Sequence, residues 1–94
     1  MKTVKAVHVN DRDTCVTLTD AVNEGDTVSY LEGGAEKAVT ARESIPKWHK
    51  MAVKPIKDGE SIYKYGAVIG IALESIEIGE YVHIHNMRSP GIGG

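Results

Sequence analysis

The sequence predicts one small, mostly β domain of short strands with at most a helical turn or two. Three observations predict it. Apolar and polar residues alternate with a period of two along most of the chain, as on half-buried strands. Glycine-containing turns recur directly ahead of several of these runs. The 94 residues include no Phe and one Trp, so the core must be aliphatic. With 41% hydrophobic and 26% charged residues the composition is that of an ordinary globular domain, and the length allows one modest core.

The elements follow in order. "TVKAVHV" alternates and is rich in β-branched residues, so it reads as the first strand. After the turn-forming "NDRD", "TCVTLTDAV" reads as the second, with Cys15 a small core residue. "TVSYLE" is the third, ended by Gly33-Gly34, and "EKAVTA" is a short fourth. "RESIPKWHKMAV" is irregular, because Pro46 interrupts any ladder there, and it has room for a single helical turn. "SIYKY", "AVIGIAL" and "YVHIHN" complete the strands, and "MRSPGIGG" has little to order it. The chain thus divides into a domain over residues 1–88 and a C-terminal tail over 89–94.

An internal echo underlies these runs. Val22-x-x-Gly25-Asp26-x-Val28, Ile56-x-x-Gly59-Glu60-x-Ile62 and Ile76-x-x-Gly79-Glu80-x-Val82 share one pattern. Each has an apolar anchor, a glycine turn, an acid and a departing strand. Ile45-x-x-Trp48-His49-x-Met51 is a fourth copy with Trp in the glycine slot. The spacing is too irregular for a solenoid.

Several function classes are excluded. The net charge of −2 comes from well-mixed signs, which leaves no basic footprint for nucleic acid. No apolar run is long enough for a membrane span or signal peptide, and a lone Cys15 without CxxC fits a reducing cytoplasm. No P-loop, nucleophile elbow or HExxH is present.

The chemistry concentrates late in the chain. His83 and His85, two apart on an expected strand, share one face, with Asn86 beside them. That spacing suits metal capture, anion binding or proton transfer, or simply the polar face of an edge strand. His49 and Lys50 lie on the irregular segment, and Lys64-Tyr65-Gly66 where a strand meets a turn, placing a cation that suits a substrate carboxylate. His8, alone on the first strand, reads as structural.

"IPKWHKMAV", "DGESIYKYGAVIGIA" and "SIEIGEYVHIHNMR" together resemble the N-terminal SAF-type domain of altronate and galactarate dehydratases. That domain is a separate small subunit in many organisms, and the sulfolactate sulfo-lyase small subunit is closely similar. The resemblance runs from "AVHVND" to Arg88 and is most specific in the succession "KYG…IG…GEYVHIHN". It implies a β-clip fold and a lyase reaction shared with a large catalytic subunit. Water leaves a hydroxylated sugar acid to give a 2-keto-3-deoxy acid, or sulfite leaves sulfolactate. It implies a divalent metal, Fe2+, bound by the complex and mainly by the large subunit. It implies catalytic roles for His49, His83 and His85, with His83 and His85 also candidate metal ligands. It implies substrate contacts from Lys50, Lys64, Tyr65, Asn86 and Arg88. In isolation a homo-oligomer is allowed, and a non-catalytic sugar-acid-binding module is the alternative. Two departures stand out. Trp48 replaces the family's glycine before His49, and Tyr81 stands where some dehydratases carry another histidine.

Overall fold

The computed structural model describes residues 2–89, and the expected tail, apart from Ser89, lies outside the described residues. The domain is mostly β, with no helix among those residues. The strands are β1 (Thr3–Val7), β2 (Cys15–Leu18), β3 (Thr27–Glu32), β4 (Ala35–Thr40), β5 (Lys50–Ala52), β6 (Ser61–Lys64), β7 (Ala67–Ala72), β8 (Tyr81–Val82) and β9 (Met87–Arg88). One sheet runs β4-β3-β1-β2-β5-β8, with β1 and β3 parallel and the other neighbours antiparallel. The second runs β6-β7-β9, antiparallel throughout.

The four-fold echo is the frame of the fold. Gly25, Trp48, Gly59 and Gly79 all adopt positive φ, at 96°, 68°, 85° and 94°. In every copy the residue after this position donates its N–H back to the carbonyl three residues earlier, from Asp26 to Asn23, His49 to Pro46, Glu60 to Lys57 and Glu80 to Glu77. Each turn also exchanges two main-chain bonds with one buried residue, respectively Ala41, Leu18, Ala72 and Ala52. The copies pair two by two, Val22 bridging Ile45 and Ile56 bridging Ile76.

Each pair builds its own core. Val22, Val28, Ile45 and Met51 belong to one cluster with Val4, Val16, Leu18 and Tyr30. Ile56, Ile62, Ile76 and Val82 belong to the other with Cys15, Ala52 and Ala72. The wall between the clusters is made by β2, β5 and β8, whose successive residues face opposite sides. Cys15 and Val16, then Ala52 and Met51, then Val82 and Tyr81, divide between the two cores. Burial accordingly pushes the Cys15 thiol up to about 12, an inert core group.

Three copies tighten their turn with the acid that follows the glycine. Asp26, Glu60 and Glu80 accept the N–H of Asn23, Lys57 and Glu77 at 2.9, 2.7 and 2.6 Å. In the fourth copy the equivalent position is Pro46, which has no N–H to offer. The acid has no work there, and a histidine occupies its place.

Several expected elements are corrected. "YVHIHN" is a strand only at Tyr81–Val82, and residues 83–86 form a turn. Met87–Arg88 is no tail, since it pairs with Ile71–Ala72 of β7. "TCVTLTDAV" is extended only to Leu18, and "SIYKY" ends at Lys64 because Tyr65 turns to φ 56°. "RESIPKWHKMAV" holds β5 and a turn at Lys47–Trp48 in place of a helical turn.

Candidate functional site

The irregular Trp48-His49 turn and the His83–Asn86 turn lie side by side, because β5 pairs with β8. Lys50 faces Val82 and Met51 faces Tyr81 in that register, so His49 extends toward His83. The His49 and His83 ring centroids are 4.9 Å apart. Tyr81 stands at the centre of the group. Its hydroxyl is hydrogen-bonded to His49 Nδ1 at 2.5 Å, its ring stacks on His83 at 5.3 Å, and His85 lies 5.4 Å away.

Asn86 holds this turn in shape. Its Oδ1 accepts the His83 N–H at 2.9 Å, and its Nδ2 donates to the Tyr81 carbonyl at 2.7 Å. The side chain is buried, which makes Asn86 a positioning residue for the histidines. Glu43 Oε2 fixes the other side by accepting the Tyr81 N–H at 2.9 Å. The two imidazoles are therefore not displayed on one strand face. A turn presents them, half-buried His83 and exposed His85, with Ile84 between them 77% exposed.

The surroundings favour the neutral form of His83. Its pKa is lowered by desolvation first, then by His49, Lys50 and His85. An imidazole held in its neutral form is competent to accept a proton near neutral pH. Among the described residues, no three or more His, Cys, Asp or Glu side chains are grouped to hold a metal ion. The chain's own donors therefore do not fit a complete metal centre.

Lys64 and Tyr65 group away from the histidine rings. They line an open groove of about 460 Å³ with Thr17, Trp48, Lys50, Ile69 and Met87. Lys64 Nζ sits 3.4 Å from the centroid of the Tyr65 ring. Its hydrogen bonding and charge hold the Tyr65 phenol below its ordinary value. Lys50 is half-buried on β5 and joins the two regions, lining the groove while its charge reaches His83. Arg88 is exposed on β9.

Asp13 is a residue the sequence reading missed. It is 1% exposed and accepts the N–H groups of Tyr65 at 2.9 Å and Gly66 at 2.7 Å, with Asn10 at 3.2 Å. Burial works to raise its carboxyl, but these three donors and the nearby His8 outweigh burial and hold it below the ordinary carboxylate value. His8 is structural as expected. Its ring nitrogens meet the carbonyls of Leu31 and Asp13, both at 3.1 Å. The available signal for Asp13 was a polar "NDRD" turn, but nothing local connects it to a turn fifty residues on.

Comparison with known proteins places this geometry in a family. The altronate/galactarate dehydratase SAF domain matches residues 4–90. The chain is 37% identical over 83 residues to the altronate dehydratase of Escherichia coli, covering 88% of this chain and 16% of that enzyme. It is 28% identical over 85 residues to the (2R)-sulfolactate sulfo-lyase subunit alpha of Chromohalobacter salexigens, covering 88% of this chain and 90% of that subunit. A 52-residue stretch, 55% of this chain, is 40% identical to the altronate dehydratase of Bacillus subtilis and spans 10% of that enzyme. The chain thus spans only a small part of the dehydratases it matches but nearly all of the sulfo-lyase subunit.

Proposed function

The chain belongs to the SAF-domain family of altronate/galactarate dehydratases, and from that premise we propose that it is the small subunit of a sugar-acid dehydratase. In this reading it completes an active site whose larger part lies on a partner, and it is inactive alone. The reaction removes the proton beside a carboxylate and expels a β-hydroxyl as water, giving a 2-keto-3-deoxy acid. The observation that carries the reading is the His49–Tyr81–His83–His85 group, which has proton-transfer chemistry but not a self-sufficient site. Neutral His83 takes the proton beside the carboxylate, and the hydrogen-bonded His49–Tyr81 pair gives one to the departing hydroxyl. Lys50, Lys64 and Tyr65 engage the substrate, with Arg88 at the rim. The divalent metal of this reading, ferrous iron, is bound by the complex and mainly by the large subunit, with His83 and His85 as this chain's candidate contribution; among the described residues no three ligand side chains group together.

A second reading rests on the sulfo-lyase match, which spans 90% of a subunit alpha. In it the same site expels sulfite from sulfolactate.

Co-expression with a large subunit of such a dehydratase, followed by assay of altronate, galactarate and sulfolactate with and without ferrous iron, tests both. Turnover of a sugar acid is expected, falling on the order of 100-fold or more in His83→Ala. Turnover of sulfolactate alone selects the second reading. Full activity in a His83→Ala, His85→Ala double variant removes the site assignment, and turnover by the chain alone at the complex's rate removes the partner.

A further inference from the structure

Among the described residues, two non-glycine positions adopt positive φ, Trp48 at 68° and Tyr65 at 56°. Such a conformation costs a bulky side chain on the order of 1 kcal/mol or more, so it persists only where the surroundings impose it. Both residues line the same groove. Both follow a lysine that meets the ring, Lys47 Nζ at 5.3 Å from Trp48 and Lys64 Nζ at 3.4 Å from Tyr65. The strain has an identifiable origin in each case. Trp48 occupies the slot that three sister turns give to glycine, and Tyr65 is clamped by Asp13. Neither aromatic ring is used as core, since Trp48 is 62% and Tyr65 58% exposed.

The rest of the lining has a definite chemistry. Lys50 and Lys64 are its charged members, and it holds no acid. Thr17 Oγ1, on the same lining, is buried and makes no hydrogen bond of ordinary geometry, with the Tyr65 phenol as a polar neighbour. A buried hydroxyl so weakly satisfied is uncommon and is open to a better-placed polar group. Two lysines with no carboxylate partner among the described residues, a weakly satisfied hydroxyl and two exposed rings describe a seat for an anion that carries hydroxyls and a C–H face.

The geometry points to this groove as the binding site for the carboxylate-bearing end of a polyhydroxylated acid. Lys50 and Lys64 hold the carboxylate, Thr17 meets a hydroxyl, and Trp48 and Tyr65 pack against the carbon chain. This deepens the proposed function and rests on it for the substrate class. It also divides the work, with binding in the groove and proton transfer at the histidines, joined by Trp48-His49-Lys50.

Trp48 is the chain's one tryptophan, so its fluorescence reports the groove directly. The chain alone is titrated with galactarate, with sulfolactate, with succinate and with the uncharged polyol galactitol. Saturable change in the millimolar range is expected for the three acids and not for galactitol. Lys50→Met and Lys64→Met each weaken the acids about tenfold or more, and Thr17→Val weakens galactarate while leaving succinate unchanged. Unchanged far-ultraviolet circular dichroism certifies that the variants are folded. No saturable response to any acid, an equal response to galactitol, or acid binding untouched in both lysine variants overturns the groove assignment. Sulfolactate binding without galactarate binding also overturns it, since the groove would then require a sulfonate that a sugar acid lacks. The two proposals fail separately. An active complex whose small chain binds no acid retains the proposed function and loses the groove, whereas acid binding without elimination by any complex does the reverse.

Discussion

The turns at Ile76–Val82 and Ile45–Met51 have nearly the same backbone and opposite uses. Both begin at an anchor 1% exposed, pass through positive φ, and end on a wholly buried residue of the wall strands. In the first, Gly79 is packed so closely that an added Cβ would stand 2.4 Å from the Thr40 carbonyl and 2.8 Å from Arg42 Cγ. In the second, an indole projects from the same slot into open surroundings. One copy devotes its turn to shape; the other accepts backbone strain and presents Trp48, His49 and Lys50. A repeated unit can therefore free one of its copies for chemistry while the others keep the fold.

The comparison is broken most strongly at Gly79. Gly79→Ala meets main chain and carries a left-handed φ, so a loss of about 3 kcal/mol or more is expected in chemical denaturation. Trp48→Gly should act in the opposite direction, because it relieves strain at an exposed position. A gain of about 1 kcal/mol is expected in the same measurement, together with weakened acid binding by calorimetry. A stability loss there instead would mean that the indole is a structural group.

Asn86→Ala removes two side-chain bonds to buried main chain and should cost about 2 kcal/mol. It should also broaden the His83 and His85 resonances as the turn loosens, while Asn86→Asp keeps the Oδ1 acceptor and restores part of the order. Glu80→Ala leaves the Glu77 N–H without its acceptor and should cost about 1 kcal/mol, by analogy with a lost helix cap. The corresponding His49→Ala has no such bond to lose, because Pro46 has no N–H. Its main-chain turn should survive in the amide spectrum.

The smallest expected effect concerns protonation. The His83 pKa lies below the ordinary imidazole value of 6.5, so folding disfavours its charged form. His83 thus contributes a destabilisation that sets in as pH falls below about 6.5 and is complete below its folded value. Removing the Lys50 charge in Lys50→Met should move the His83 titration midpoint upward, as followed by its imidazole proton shifts. A midpoint that stays in place would show that desolvation alone accounts for the depression. Asp13 behaves as the mirror case. Its depressed carboxyl contributes stability above the ordinary aspartate value of 3.8, lost as pH falls through its folded value.

How much of this was legible depended on range along the chain. The four turns were readable because anchor, glycine and acid lie within seven residues, and positive φ is a local demand. The pairing of the turns into two cores was not, since nothing local couples Val22 to Ile45 or Ile56 to Ile76. Alternation around His83 and His85 predicted a strand, but Asn86 captures both the His83 N–H and the Tyr81 carbonyl and folds the segment into a turn. Tyr81 read as a missing histidine, whereas its ring gathers the three that are present. The grouping of Lys50 with Lys64 and Thr17 needed β2, β5 and the β6–β7 turn to be assembled first.

The alternating wall of β2, β5 and β8 has a consequence for motion. Its amides are enclosed by two cores at once, so neither core can loosen alone without meeting a strand still held by the other. Hydrogen exchange at Val16, Met51 and Val82 should therefore proceed only through global opening and be among the slowest in the chain. His49, Lys50 and Tyr81 are rooted in or beside that barrier. The side chains of the candidate site are thus mounted on the least fluctuating backbone of the molecule, and any breathing that the proposed function requires must come from the turns around them.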